Sequence, residues 1–334
     1  MTIGTVALAV MIAGYLAGAL DAALAPSDGA ARLVTAAGAV LGSLAGCVLA
    51  ADVLVTRVPV EVGVKALLAA AGGMSIRLDV LGAFFLAIVS FVSLPAAIYG
   101  AAYTAEYESR YSLRALGVMF NLFLLGMSLV PAAGNVLTFV VGWEVMSVAS
   151  YFLVMTETDE AQTREAGLWY IAMTHVGLVL LLPMFFLLAP AAGNTTFADL
   201  HAGAMALPAA TQNVVFLLAV FAFGSKAGLV PLHVLLPRAH PAAPSHVSAL
   251  MSGVMIKLGI YWLLRVTLDL LGGGPPWWGG LLLALGSISA LVGILYALAD
   301  KDLKRLLAYS SVENVGIIVI GLGAGLLLHS YGLN

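Results

Sequence analysis

The sequence predicts an all-α polytopic membrane protein with about ten transmembrane helices, and three observations carry that prediction. Of its 334 residues, 62% are hydrophobic and 9% charged, where a soluble domain carries about 25% charged residues. The apolar residues fall in runs of about 20, the length at which a helix crosses a hydrocarbon core about 30 Å thick. Alternating segments of about ten residues, the mark of a membrane barrel, are absent, so helices that satisfy their own backbone in lipid are the spanning elements.

Reading apolar runs against polar and Gly/Pro punctuation places spans at 3–20, 33–55, 79–102, 114–132, 134–156, 166–189, 213–236, 245–268, 279–299 and 304–328. The first run lacks a basic leader and reads as a span rather than a cleaved signal. MSIRLD at 74–79 reads as a short extended lead into the third span. The longest polar patch is ETDEAQTRE at 157–165, and no connection is long enough for a soluble domain. GGGPPWW at 272–278 is a turn followed by paired tryptophans, which favour the headgroup level. Loop cations on one side (Arg32, Arg110, Arg114, Arg164, Arg238, Lys301, Lys304, Arg305) outnumber those on the other (Arg57, Lys65, Arg77, Arg265). The richer side is expected in the cytoplasm, in the inner (plasma) membrane, with the N-terminus outside.

Composition also narrows the chemistry. The one cysteine, Cys47, rules out an internal disulfide or a cysteine-ligated cluster. No glycine-rich nucleotide motif and no cysteine–histidine metal spacing occurs, so no cofactor is expected in this chain. A net charge of −3 without a basic run gives no reason to expect nucleic acid.

The informative residues are those that hydropathy would exclude. Glu144, His175, Lys226, Lys257 and Glu313 fall near the middles of the fifth, sixth, seventh, eighth and tenth spans. Insertion costs about 2.5–3.5 kcal/mol for a charged side chain at that depth, and such residues face bundle interiors or water and mark ion routes. A static ion pair between Glu144 and Lys226 is the competing reading, but buried pairs are often replaceable by apolar residues without loss. His175 reads equally as a satisfied core histidine. Glu313 has Ser310, Ser311 and Asn314 at hand for local hydrogen bonds. Asp52 and Asp79 lie near span ends and read as interfacial or capping residues. Lys304 starts the last span and is able to reach inward from there.

Gly224, Gly228 and Pro231 surround Lys226. Pro231 has no N–H for the Ala227 carbonyl, so the seventh helix should break or bend there. Non-helical backbone at depth is tolerated where it lines a cavity. Pro237, Pro241 and Pro244 are expected to hold the following link extended, bringing His240 and His246 toward the eighth span. A zinc site from His233, His240 and His246 is disfavoured, because the spacing fits no standard ligand pattern and no acid or cysteine accompanies it.

Four segments carry a family resemblance: GWEVMSVASYFLV at 142–154, FGSKAGLVPLHVLLPRAHPAAPSHVSAL at 223–250, GVMIKLGIYWLLR at 253–265 and ALADKDLKRLLAYSSVENVGII at 297–318. They resemble the antiporter-like, proton-translocating membrane subunits of respiratory complex I, multisubunit sodium/proton antiporters and membrane-bound hydrogenases. The PRAHPAAPSHVSALMSGVMIKLGIY run is most similar to the branch of hydrogenase 4 component B and formate hydrogenlyase subunit 3. The resemblance implies that Glu144, Lys226 and Lys257 match the proton-path residues of the fifth, broken seventh and eighth helices. It also implies that His240 matches a histidine after the break, and Lys304 the lysine of the DxKR segment. With His175, Glu313 and His246 these make the candidate proton path. The implied partners are other membrane subunits and, through them, hydrogenase or quinone-linked subunits, with protons or sodium as cargo.

The implied organisation is three N-terminal helices (1–103), a complete five-helix antiporter-like repeat with a broken seventh helix (104–268), and the start of a truncated second inverted repeat (269–334). Half of a path is the expectation.

Overall fold

In the computed structural model, residues 2–64, 73–192 and 195–333 are described. All ten expected spans are helices long and apolar enough to cross a membrane. In order they are α1 (Ile3–Leu24), α2 (Asp28–Thr56), α3 (Val80–Tyr103), α4 (Leu113–Ala132), α5 (Val136–Val154), α6 (Ala161–Ala192), an interrupted seventh span, an irregular eighth, α12 (Pro276–Ala299) and α13 (Leu303–Ser330). The seventh consists of α8 (Ala209–Ala227) and α9 (Leu235–Ala242), and the eighth of α10 (Ser245–Leu250) and α11 (Ile256–Leu264) joined by π turns. A short helix, α7 (Phe197–Met205), precedes α8 and was not foreseen in the sequence.

Side-chain caps start many of these helices. Thr2, Ser27, Asp79, Ser112, Asn135, Thr196 and Asp302 each accept from a backbone N–H in the first turn, satisfying donors that the helix itself leaves open. Asp79 thus takes the capping part expected of it.

The chain gathers into two compact units, Met1–Arg164 with Ala242–Val254, and Glu165–Pro241 with Met255–Asn334. In the first, α1 and α2 touch backbone to backbone: a Cβ at Gly38 would lie 2.3 Å from the Gly18 Cα. Small residues allow such approach in lipid, where van der Waals packing replaces the hydrophobic effect as the force between helices. The expected extended segment is strand β2 (Met74–Leu78), paired antiparallel with β1 (Val60–Val64) from Val60↔Leu78 to Val64↔Met74. The pair is pinned to the α4–α5 corner, where Ser75 N–H donates to Thr138 Oγ1 at 2.8 Å and Gly134 N–H to the Ser75 carbonyl at 2.8 Å. Between α4 and α5 the approach is again close, since a Cβ at Gly126 would lie 2.5 Å from the Met146 nitrogen.

In the second unit, α12 and α13 form a regular hairpin. Gly279, Gly286 and Gly293 repeat every seven residues along α12 and meet Gly323, Gly316 and the Tyr309–Glu313 turn of α13. The turn before it holds Gly272, Gly273 and Gly274 at φ +64°, +88° and +62°, conformations open to glycine at little steric cost. Of the paired tryptophans, Trp277 is exposed as a headgroup-level residue would be. Trp278 is fully buried instead, stacked on Phe216 at 4.3 Å with its Nε1–H donated to Asn213 Oδ1 at 2.9 Å.

Candidate functional site

Lys226 occupies the last turn of α8 and is 2% exposed. The helix ends at once, with Gly228 in the left-handed conformation at φ +81°. The break therefore starts at a glycine C-cap, three residues before Pro231, rather than at the proline as the sequence suggested. A Val230–Pro231 cis peptide and a short 3-10 turn, Leu232–Val234, then lead into α9.

Four N–H groups at the break find acceptors. Gly228 and Leu229 N–H both donate to the Gly224 carbonyl at 2.9 Å, and Leu232 N–H to the Leu229 carbonyl at 2.7 Å. The Val230 N–H donates sideways to Ser289 Oγ of α12 at 2.9 Å, while that hydroxyl donates to the Leu285 carbonyl at 2.7 Å. Two serines, Ser287 and Ser289, in a largely apolar span were the only sequence trace of this bond.

Two neighbours of the Lys226 ammonium favour its charge. The C-terminal end of a helix carries partial negative charge, which favours an ammonium there. Its Nζ also lies 5.5 Å from the centroid of the Tyr170 ring, within cation–π reach. Tyr170 is itself fully buried, with its hydroxyl directed to Met255 Sδ at 3.5 Å. Nothing in the local sequence marked it.

Lys257 is half-buried on α11, a short α-helical piece flanked by π turns at Met251–Met255 and Arg265–Leu270. Isolated π turns concentrate at functional sites. The two lysine helices meet closely, for a Cβ at Gly259 would lie 2.9 Å from the Phe223 carbonyl oxygen and 3.1 Å from the Ala227 nitrogen. That contact falls one residue from Lys226 and two from Lys257.

The link after the break is helical, not extended as expected. Pro237 lies in the first turn of α9, where backbone N–H groups have no helical acceptor in any case, and Pro241 in its last turn. Only Pro244 is extended, at φ −51° and ψ 144°. His240 is 2% exposed on α9, and the Lys304 ammonium at the start of α13 donates to the Pro241 carbonyl at 3.3 Å. Arg238 points the other way, paired with Glu165 at 2.9 Å and lying over the Trp169 ring at 4.5 Å.

Glu144 and His246 belong to the first unit, and Glu144 is half-buried on α5 beside Trp143 and Ser147. His175 lies on the exposed face of α6 and donates Nδ1–H to its own helix at the Ile171 carbonyl, 2.9 Å away. Glu313 is half-buried against Gly293. Its expected local partners turn elsewhere: Ser311 donates to the Leu307 carbonyl and Asn314 to the Ser310 carbonyl. Among the described residues, no three His, Cys, Asp or Glu side chains gather as metal ligands would.

A family profile described as NADH:quinone oxidoreductase/Mrp antiporter, transmembrane, matches residues 133–330. Hydrogenase-4 component B of Escherichia coli is 45% identical over 261 residues, covering 77% of this chain and 38% of that protein. Formate hydrogenlyase subunit 3 of the same organism is 37% identical over 224 residues, covering 67% of this chain and 35% of that one. The chain thus spans well under half the length of these relatives. A chain of the Mrp complex from Dietzia sp. superposes with a TM-score of 0.82 at 25% identity, over 98% of this chain and 36% of that one. The archaeal membrane-bound sulfane sulfur reductase shares the fold with a TM-score of 0.78 at 24% identity, over 97% and 68%.

Proposed function

The chain belongs to the NADH:quinone oxidoreductase/Mrp antiporter transmembrane family, and from that premise we propose that it carries protons as a membrane subunit of a hydrogenase-4 or formate-hydrogenlyase-like oxidoreductase complex. The observation that carries this reading is Lys226, 2% exposed at the end of a helix interrupted inside the membrane. Its ammonium is held between the favourable helix terminus and Tyr170 ring on one side and the cost of desolvation on the other. A lysine so balanced changes protonation when a neighbouring charge changes.

In this reading the proton passes by way of Glu144, Lys226 and Lys257. His240, His246, Lys304, Glu313 and His175 are further stations, and water bridges them. The close contact at Gly259 supports a short step between the two lysine helices. The 104–268 segment acts as one antiporter-like repeat, and electron transfer takes place in partner subunits. The Mrp-complex likeness supports a second reading, a sodium/proton antiporter subunit. A sodium gradient that drives proton flux through the reconstituted complex would select it.

The test is proton pumping by the assembled complex in proteoliposomes. Lys226→Ala and Glu144→Ala should each abolish pumping while assembly persists. Lys226→Arg should abolish it too, because a guanidinium keeps its charge and its place over Tyr170 yet does not release its proton. Intact pumping in Lys226→Ala and Glu144→Ala would overturn the reading, and intact pumping in Lys226→Arg alone would reduce Lys226 to a fixed charge.

A further inference from the structure

A second polar cluster lies in the first unit. His246 on α10 is 2% exposed, its ring packed against Phe120 at 5.1 Å and Tyr103 at 5.7 Å. It lines a cavity of about 20 Å³ together with Arg32, Thr35, Gly100, Thr104 and Phe120. His246 Nδ1, Thr35 Oγ1 and Arg32 Nε are all buried, and none has a hydrogen-bond partner among the described residues. A buried polar atom left unpaired loses the hydrogen bond it would make in water. Thr104 does not relieve them, since its hydroxyl donates to the Gly100 carbonyl at 2.8 Å.

Two glycines make room for the polar groups. A Cβ at Gly117 would lie 2.1 Å from Thr35 Oγ1, and one at Gly100 would lie 2.9 Å from the His246 ring. Outward, Arg32 pairs with Glu108 at 3.4 Å, with the two side chains 24% and 41% exposed. The cavity therefore lies behind an ion pair that reaches solvent, on the loop face that also carries Arg110 and Arg114.

We propose that this cavity binds one water molecule through which His246 exchanges protons with that loop face, an inference that rests on the proton-carrying reading above. The space suits it, because a water needs about 10–15 Å³ of such volume and two to four polar partners. The partners are complementary: Arg32 Nε only donates, while the Thr35 hydroxyl and His246 Nδ1 each either donate or accept. In the transfer, the water gives a proton to His246 Nδ1 and regains one from solvent past the Arg32–Glu108 pair. One O–H bond breaks, one N–H bond forms, and the water is restored.

The experiment is water-edited solid-state NMR on the full chain, labelled with 15N-histidine, in lipid nanodiscs. The His246 signal is assigned by its loss in His246→Gln. A water-to-imidazole cross-peak is expected in the wild type and in Thr35→Ser, and its loss is expected in Thr35→Val. A thermal-unfolding midpoint in detergent close to the wild type's reports that the variant is folded, and Thr35→Ala, which is smaller, carries the same test if Thr35→Val is not. Absence of the cross-peak in the wild type, or its persistence when the Thr35 hydroxyl is removed, overturns the port. Pumping is not read here, so a failed Lys226 test with the cross-peak intact would refute proton carriage and leave the hydrated histidine standing.

Discussion

The broken α8–α9 helix and the α12–α13 hairpin belong to the same unit and solve opposite problems. The hairpin is regular from end to end, and its glycines let two backbones touch without losing a hydrogen bond. The broken helix gives up its ladder at Gly228 and must find partners for every freed donor, one of them on α12 itself. Lipid allows irregular backbone only where protein or water satisfies it. The contrast teaches that the interruption is a supported structure, and that the support comes from the regular element beside it.

The sharpest way to break that comparison is to separate the hairpin. A Cβ at Gly316 would lie 2.4 Å from the Ala290 nitrogen, so Gly316→Val should cost about 3 kcal/mol, the upper part of the overpacking range. Thermal unfolding in detergent measures it, and an unchanged midpoint would mean that the helices move apart freely. Next, Gly228→Ala meets both a φ of +81° and the Leu236 side chain at 2.7 Å, for an expected loss of about 1–3 kcal/mol. Pumping should fall further in this variant than in Gly316→Val at equal folded fraction, because Gly228 sets the end of the helix that carries Lys226.

Ser289→Ala leaves the Val230 N–H without its acceptor and should cost about 1–2 kcal/mol. Ser289→Thr, which keeps the oxygen, should recover part of it in the same melt. The smallest effect lies outside the membrane. Tyr111 donates to Asp159 Oδ1 at 2.5 Å, and that bond holds the Asp159 carboxyl below the usual range and the Tyr111 hydroxyl above it. The bond therefore contributes between the two ordinary pKa values, fading in acid as Asp159 protonates and in strong base as Tyr111 ionises. Both groups lie near the surface, so Tyr111→Phe should lower the neutral-pH midpoint only slightly, and the acid and alkaline falls of the pH–stability curve should become shallower by that same small amount.

The ten spans were legible because each needs a long apolar run, whatever its neighbours do. The interior irregularities were not. In lipid both faces of a helix are apolar, so periodicity did not tell that His175 faces out while Lys226 faces in. The π turns around α11 leave no composition mark. The prolines of α9 read as breakers, yet Pro237 falls in a first turn where a missing N–H costs nothing. The candidate ionisable residues stood out individually through their hydropathy cost. Their surroundings, namely Tyr170 beside Lys226, Ser289 beneath the break and Thr35 with His246, come from elements far apart in sequence.

Ser289 has one further consequence. Its hydroxyl has a single proton, spent on the Leu285 carbonyl, and it meets the Val230 N–H only in one angular setting of α12. Turning α12 by one residue, about 100°, would present Ile288 or Ala290, neither of which has a side-chain acceptor. The hairpin is in this sense keyed to the broken helix: its azimuth is indexed by one hydroxyl, and any motion of the break must either carry α12 with it or release that key.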